Sequence, residues 1–181
     1  DLVRSRGLGD VYKRQDICYR YYPNDSFTGL WDGLESAVIA GQVRFIQSEH
    51  INKEVERKLA QFDYSRNKYD DFMRRLKVDV IRNSDYAQAL ISLKGDLASN
   101  VPFIARKQGT FLDNLDEDLS NISVASIKNA KVITSEQGFN TDITNPVLRK
   151  STQLKIPDVC RYKHIPCSNW LDVFTHLGMR F

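Results

Sequence analysis

Residues 116–136, DEDLSNISVASIKNAKVITSE, combine a helical pattern with a strand pattern. Within this stretch, Ile122, Ala125 and Asn129 follow one another at helical spacing. The stretch then reaches the β-branched run Val132-Ile133-Thr134, which is typical of a strand. A helix that leads directly into such a strand is half of a parallel β-α-β unit. The sequence therefore predicts the α/β fold class.

A similar alternation of helix and strand precedes this stretch. Ser26 is a predicted N-cap for a helix that ends near Gly41. A short strand is expected over residues 43–45, and Ser48 is expected to cap the next helix. Residues 64–108 are charged and helical in pattern, so we expect two or more helices there.

Downstream, the sequence becomes polar before it shows regular patterns again. Residues 137–155 are rich in turn formers and predict a loop or a poorly ordered insertion. A short segment then opens at Ile156, residues 165–167 are expected to form an edge strand, and residues 170–177 a last amphipathic helix.

Length and composition are typical of one globular domain. The chain has 181 residues, of which 41% are hydrophobic and 27% are charged. No stretch approaches the roughly 18 consecutive apolar residues of a membrane span, and the first residues lack the apolar core of a secretion signal. We therefore expect a cytoplasmic protein with no membrane partner, and we interpret Cys18, Cys160 and Cys167 as buried thiols.

The first fifteen residues, DLVRSRGLGDVYKRQ, differ from the rest. They show no hydrophobic period and resemble a translated sequencing adapter, so we interpret residues 1–15 as a non-native segment and residues 16–181 as the domain. The segment holds four basic and two acidic residues, so the net charge falls from +3 to +1 without it. Bulk charge then indicates no particular partner.

Carboxylates are the candidates for chemistry, because no P-loop, GxGxxG, GxSxG or HExxH motif is present. Glu54, Asp118 and Glu136 are predicted to lie at helix starts and strand ends on the ligand-binding edge of an α/β sheet. Clustered carboxylates usually hold Mg²⁺ or Mn²⁺. Such a cation polarises a phosphoryl oxygen and activates water for attack on a phosphodiester.

Each of these acids also has a purely structural interpretation. Asp118 is suited to a helix cap or first-turn position, Glu54 to an ion pair with Lys58 one turn away, and Glu136 to a solvated strand end. Spacing alone leaves both interpretations open.

Several local motifs resemble the PIN-like domains, in particular a prokaryotic PIN-like family of unknown function. The resemblance covers nearly everything after Gln15, and its ending is its most specific part. In chain order the motifs are RYYP at 20–23, FTGLW at 27–31, KEV at 53–55, VITSE at 132–136, KIPDVC at 155–160 and LGMRF at 177–181.

The resemblance implies a three-layer sandwich with a central parallel sheet flanked by helices, an acidic pocket for a divalent cation, and RNA cleavage in active relatives, often as toxins of toxin-antitoxin pairs. It assigns Glu54, Asp118 and Glu136 to the pocket. Asp158 is either a fourth pocket acid or a structural turn residue. The family's first strand, which bears a metal-binding aspartate, is overwritten by the adapter-like segment, so we expect that strand to be lost.

Four basic residues are candidates for contact with nucleic acid. Arg20 lies among tyrosines that are able to stack on bases, although such aromatics are more often core. Arg74, Arg75 and Lys155 are able to contact phosphates or to form a solvated face. The partners expected are an RNA substrate, an antitoxin over the pocket, and a second copy of the chain in a homodimer.

Two functions therefore compete. The first is a metal-dependent ribonuclease of PIN type, and the second is a non-catalytic PIN-like module that binds RNA or protein. An enzyme requires its acids to converge within reach of one cation. A binding scaffold leaves them dispersed or paired with Lys and Arg.

Overall fold

A computed structural model describes residues 2–4, 22–23, 25–61, 65–105, 112, 115–138, 142–145 and 155–179. These residues form strands and helices that alternate along much of the chain. The elements, in chain order, are β1 Leu2–Arg4, α1 Thr28–Ile39, β2 Phe45–Ser48, α2 Glu49–Gln61, α3 Arg66–Arg75, β3 Asp79–Ile81, α4 Asn83–Asn100, α5 Pro102–Ala105, α6 Asp116–Lys128, β4 Lys131–Ile133, α7 Ile156–Tyr162, β5 Cys167–Ser168 and α8 Trp170–His176.

These strands form one parallel sheet in the order β3-β2-β1-β4-β5. The chain order reverses at β1, with β2 and β3 on one side and β4 and β5 on the other. In open parallel sheets, ligands bind outside the carboxyl ends of the strands at such a reversal. The α/β prediction is confirmed. The carboxyl ends of the strands near β1 are therefore the expected ligand-binding edge of this sheet.

The centre of the sheet corrects one prediction. The first strand is expected to be lost, yet Leu2–Arg4 occupies the central position and pairs in parallel with both β2 and β4. The physical reason is that an empty position between β2 and β4 leaves two rows of backbone N–H and C=O groups without partners. Strand pairing uses backbone groups, so an extended segment without a hydrophobic period satisfies them.

Helices cover both faces of the sheet. Because neighbouring strand residues point to opposite faces, Ile46 and Val132 join an apolar cluster with α4, α6 and α7. Phe45 and Ile133 join a second cluster with α1, α2, α3 and α8. The sheet therefore has an apolar core on each side.

The caps of the first helices give a mixed outcome for the sequence predictions. Ser48 caps α2, since its Oγ accepts a hydrogen bond from the N–H of Ile51 at 3.2 Å. The prediction for Ser26 is wrong, because α1 has Phe27 as its N-cap. The N–H of Ser26 donates instead to the carbonyl of Pro23 in the preceding turn, at 3.0 Å.

The remaining expectations concern the charged segment and the C-terminal part. The helices α3 and α4 confirm those expected over residues 64–108, and β5 and α8 confirm the edge strand and the last helix. Of the expected loop at 137–155, the structure describes residues 137–138, 142–145 and 155, and none of these lies in a helix or a strand. Within the described ranges, no helix is long and apolar enough to cross a membrane.

Candidate functional site

The elements that carry the predicted acids meet the sheet at the carboxyl ends of its strands. Helix α2 follows β2 without an intervening residue, so it begins at that edge. Helices α6 and α7 lead back toward the amino ends of β4 and β5, so their first turns lie at the same edge. Asp118 and Asp158 occupy those first turns, and Glu136 follows the end of β4.

All four acidic side chains are removed from water. Glu54 is 1% exposed, Glu136 is 7% exposed and Asp158 is 3% exposed in their side chains. Asp118 is 3% exposed as a residue. A buried carboxylate is costly unless a cation or hydrogen-bond donors compensate for its lost hydration, so the partners of each acid determine what it does.

Glu54 has its partner on its own helix. Lys58, one turn later on α2, forms an ion pair with the carboxylate, and both side chains are largely buried. The i,i+4 pair considered in the sequence analysis is therefore present. Arg57 lies 3.5 Å from Glu117 and joins α2 to the first turn of α6, so Glu54 and Asp118 lie on two helices that pack against each other.

Asp118 is the third residue of α6 and is not its cap, because the N-cap is Leu115. Its negative charge lies near the positive end of the helix dipole, as the structural interpretation expected. After the buried run of α6, Asn129 adopts a left-handed conformation that ends the helix before β4. This short connection fixes the position of Asp118 relative to the sheet.

A buried polar network beside Asp118 was missed by the sequence analysis. The hydroxyls of Ser48 and Ser120 lie 2.7 Å apart, and the N–H of Ser48 donates to Oδ1 of Asn121 at 2.9 Å. The Nδ2 of Asn121 is buried and finds no hydrogen-bond partner in the described parts of the chain. A signal was present, because Ser120 and Asn121 are polar residues between the apolar Leu119 and Ile122.

Glu136 is held by the segment that begins α7. Its carboxylate accepts hydrogen bonds from Nζ of Lys155 at 2.6 Å and from the N–H of Ile156 at 2.8 Å. Its own N–H donates to Oγ1 of Thr134 at 3.1 Å. The solvated strand end considered for Glu136 is therefore wrong, because the chain from residue 155 folds over its carboxylate.

Asp158 lies beneath the loop that carries Glu136. A Cβ placed on Gly138 would stand 2.8 Å from Oδ1 of Asp158 and 3.0 Å from Cβ of Pro157. Arg161, one turn along α7, approaches the same carboxylate at 3.4 Å. Of the two roles left open for Asp158, these contacts favour the structural one.

The four acids form two groups rather than one. Glu54 and Asp118 belong to the packed helices α2 and α6, whereas Glu136 and Asp158 are joined through α7 and the loop at Gly138. Among the described residues, no three His, Cys, Asp or Glu side chains lie close enough together to hold one metal ion. The donor chemistry nevertheless suits Mg²⁺ or Mn²⁺, because such ions are often bound by one or two protein carboxylates with water and substrate phosphates.

A pocket of about 370 Å³ opens beside Glu136, between α7, β5 and the start of α8. Its walls combine charged, amide and hydroxyl groups with a thiol, so it is suited to polar ligands. The lining includes Thr134, Glu136, Arg161, Cys167, Asn169 and Asp172.

One thiol, Cys167, lines this pocket, and a second, Cys160, lies in the neighbouring apolar core. Cys160 of α7 is buried and Cys167 of β5 is partly exposed. A hydrogen bond to Cys167, together with burial, raises the pKa of Cys160, and the same hydrogen bond lowers the pKa of Cys167. The prediction of buried thiols is thus confirmed for Cys160 and too simple for Cys167, while Cys18 lies outside the described residues.

The basic residues predicted to contact nucleic acid are mostly engaged elsewhere. Arg75 is largely buried and bridges Asp32 at 2.6 Å and Glu35 at 2.7 Å, which ties α3 to α1. Arg74 is exposed and pairs with Asp71. Lys155 is turned inward against Glu136, whereas Arg20 lies outside the described residues.

A family comparison covers almost the whole chain. Residues 16–181 match the family described as Domain of unknown function (DUF4411). The chain belongs to this family. No match was found among curated proteins or among solved structures. The DUF4411 match contains all four candidate acids and every element from α1 to α8, while β1 precedes its first matched residue.

Proposed function

We propose that this DUF4411 domain is a PIN-like three-layer sandwich that hydrolyses RNA phosphodiesters with a bound Mg²⁺ or Mn²⁺. The observation that carries the proposal is the burial of Glu54, Asp118 and Glu136 on elements that meet the same edge of one parallel sheet. That edge is where open α/β sheets bind their ligands.

The ion pairs of these acids are compatible with exchange for a divalent cation. Lys58 and Lys155 carry compact charges on flexible stems, so each ammonium is able to leave its carboxylate. Binding a divalent ion would then replace one positive partner by a stronger one. The carboxylates would remain compensated throughout, as burial requires.

Asp118 and Glu136 lie in different groups of acids, so each would contribute one carboxylate to the cation, with water and a substrate phosphate as further ligands. Glu54 would accept a proton from the attacking water. The cation, when bound, polarises a phosphoryl oxygen and lowers the pKa of water. We leave Asp158 out of the metal set because of its contacts with Arg161 and the loop at Gly138.

The proposal implies an RNA substrate in the cytoplasm. An antitoxin over the pocket and a homodimer are further partners that the resemblance to PIN-like domains suggests. These partners stand as proposals together with the activity.

Cleavage of a labelled RNA by the full chain tests the proposal, with Mn²⁺ or with a chelator present. We expect cleavage with Mn²⁺ and its loss in the chelator and in Asp118→Asn, because the substitution removes a negatively charged oxygen ligand. Asp116→Asn is the matched control, since Asp116 lies in the same first turn and pairs with Lys94 at 2.8 Å. Cleavage that persists in Asp118→Asn would overturn the assignment.

A second candidate function rests on the ion pairs themselves. A scaffold that binds without cutting is expected to pair its acids with basic side chains. Three such ion pairs are present: Glu54 with Lys58, Glu136 with Lys155, and Asp158 with Arg161. In that case the double substitution of Glu54→Gln with Lys58→Met leaves RNA affinity unchanged in a fluorescence anisotropy titration. Retained binding by an intact protein that does not cut RNA in Mn²⁺ would favour this alternative.

A further inference from the structure

Cys160 and Cys167 are brought together by the packing of α7 on β5. Cys167 is in register with Val132 of β4, so their side chains point to the same face of the sheet. Val132 and Cys160 belong to one apolar cluster, and Cys167 packs against that cluster. The N–H of Ile165 donates to the carbonyl of Cys160 at 2.8 Å and closes the turn between the two elements.

The two thiols differ in their access to solvent. Cys167 is partly exposed and lines the pocket of about 370 Å³ beside Glu136. Cys160 is fully buried behind it. A solvent-accessible thiol with a second thiol in contact is the usual arrangement of a reversible redox pair.

We propose that Cys160 and Cys167 are a dithiol that a peroxide converts reversibly into an intramolecular disulfide. Cys167 sulfur attacks one peroxide oxygen, the O–O bond breaks, and a sulfenic acid and water form once the thiol proton has moved to the leaving oxygen. Cys160 sulfur then attacks the sulfenic sulfur, the S–O bond breaks, and the Cys160 proton leaves with the hydroxyl as a second water. Both sulfur atoms are oxidised and the peroxide is reduced.

The consequence of this disulfide is local. It fixes α7 to β5 at the inner wall of the pocket, next to the chain segment whose Lys155 and Ile156 hold Glu136. The proposal does not rest on nuclease activity, so its test is a mass measurement that is independent of RNA cleavage.

The test uses the full chain with Cys18→Ser, which leaves both members of the pair unaltered. The native protein is treated with hydrogen peroxide, its remaining thiols are alkylated after denaturation, and it is digested with trypsin. We expect a linked pair of peptides, residues 156–161 joined to residues 164–180, that has lost two hydrogen atoms and separates on reduction. Cys160 alkylated in full while Cys167 carries an oxygen adduct would overturn the proposal.

Two further variants test the roles of the two sulfurs. With Cys160→Ser added, we expect Cys167 to accumulate as a sulfenic acid that dimedone traps, because no second thiol resolves it. With Cys167→Ser added instead, Cys160 is expected to stay a thiol under the same treatment. Faster oxidation of Cys160 than of Cys167 in these variants would contradict the assigned order. If Cys160→Ser fails to fold, the peptide linkage in the Cys18→Ser protein still decides the proposal.

Discussion

The two groups of candidate acids, Glu54 with Asp118 and Glu136 with Asp158, are positioned by different kinds of contact. In the first group the ammonium that compensates Glu54 comes from the same helix, because Lys58 lies one turn later on α2. In the second group Asp158 also faces a cation on its own helix, Arg161, but the charge that compensates Glu136 comes from another segment, because Lys155 reaches it across a loop.

This difference indicates that the surroundings of Glu136 depend on the segment between β4 and α7, whereas those of Glu54 do not. The first group is built into packed helices, so its geometry is fixed by the core. The second is fixed by a chain segment that folds back over the end of β4, so a change in that segment changes the surroundings of Glu136.

Removal of Lys58 is expected to have the largest effect. Lys58→Met takes the ammonium from a carboxylate that is 1% exposed, and breaking a buried pair in this way costs about 3 kcal/mol in the free energy of unfolding. The measurement is urea denaturation followed by circular dichroism. Lys53→Met is the control, because Lys53 on the same helix pairs with Glu49 at the surface, where solvent screens the pair, so we expect a much smaller loss. Equal losses in the two variants would contradict the role assigned to Lys58.

Removal of Lys155 is expected to lower the free energy of unfolding by less than removal of Lys58. In Lys155→Met the carboxylate of Glu136 keeps the hydrogen bond from the N–H of Ile156, so we expect a loss of about 2 kcal/mol, typical of a hydrogen bond to a charged group. The comparison is made by urea denaturation against Lys163→Met, whose lysine pairs with Asp96 at the surface. If Lys155→Met lowered the free energy of unfolding more than Lys58→Met, the stronger dependence assigned to the Glu54 pair would be wrong.

A smaller loss of stability is expected from adding a methyl group at Gly138, where the loop after β4 contacts α7. In Gly138→Ala the added methyl would stand 2.8 Å from Oδ1 of Asp158, and relieving such an overlap costs about 1 to 2 kcal/mol. The midpoint of thermal unfolding is the measurement. Gly95→Ala is the matched control, because nothing lies within 4 Å of that Cβ position, and alanine in the middle of a helix stabilises it. An unchanged midpoint in Gly138→Ala would show that the loop moves away freely.

Local patterns explain which parts of the fold were predictable. The helix and strand of residues 116–133 follow from helical spacing and a β-branched run, and the pair of Glu54 with Lys58 follows from one turn of helix. Both signals lie within a few neighbouring residues, where sequence spacing determines which side chains meet.

The remaining features depend on contacts that spacing does not encode. Strand β1 pairs through backbone groups, and β3 is a short edge strand whose side chains are largely exposed, so neither has a hydrophobic signature. The inward turn of Lys155 depends on where a loop returns, and the contact of Ser48 with Asn121 joins residues 73 positions apart. Predicting the candidate site therefore required the tertiary packing as well as the motif positions.

The smallest expected effect concerns the outer anchor of α7. Asp96 on α4 accepts hydrogen bonds from Nζ of Lys163 at 2.6 Å and from the hydroxyl of Tyr162 at 3.0 Å. The hydrogen bond from Lys163 lowers the pKa of Asp96 below its usual value. The ionised carboxylate is thus favoured by folding, so its stabilisation is complete above the usual aspartate range and is lost as the pH falls through the lowered pKa.

Wild type and Asp96→Asn are therefore expected to differ by less than about 1 kcal/mol in the free energy of unfolding near neutral pH, because the pair is partly exposed to solvent. The difference should shrink in acid, where Asp96 is protonated and resembles asparagine. Urea denaturation over a series of acidic pH values measures it. In a Lys163→Met background the main cause of the lowered pKa is absent, so the pH dependence of the difference should weaken. A difference that stays constant from neutral to acid pH would show that α7 is not anchored through this charge.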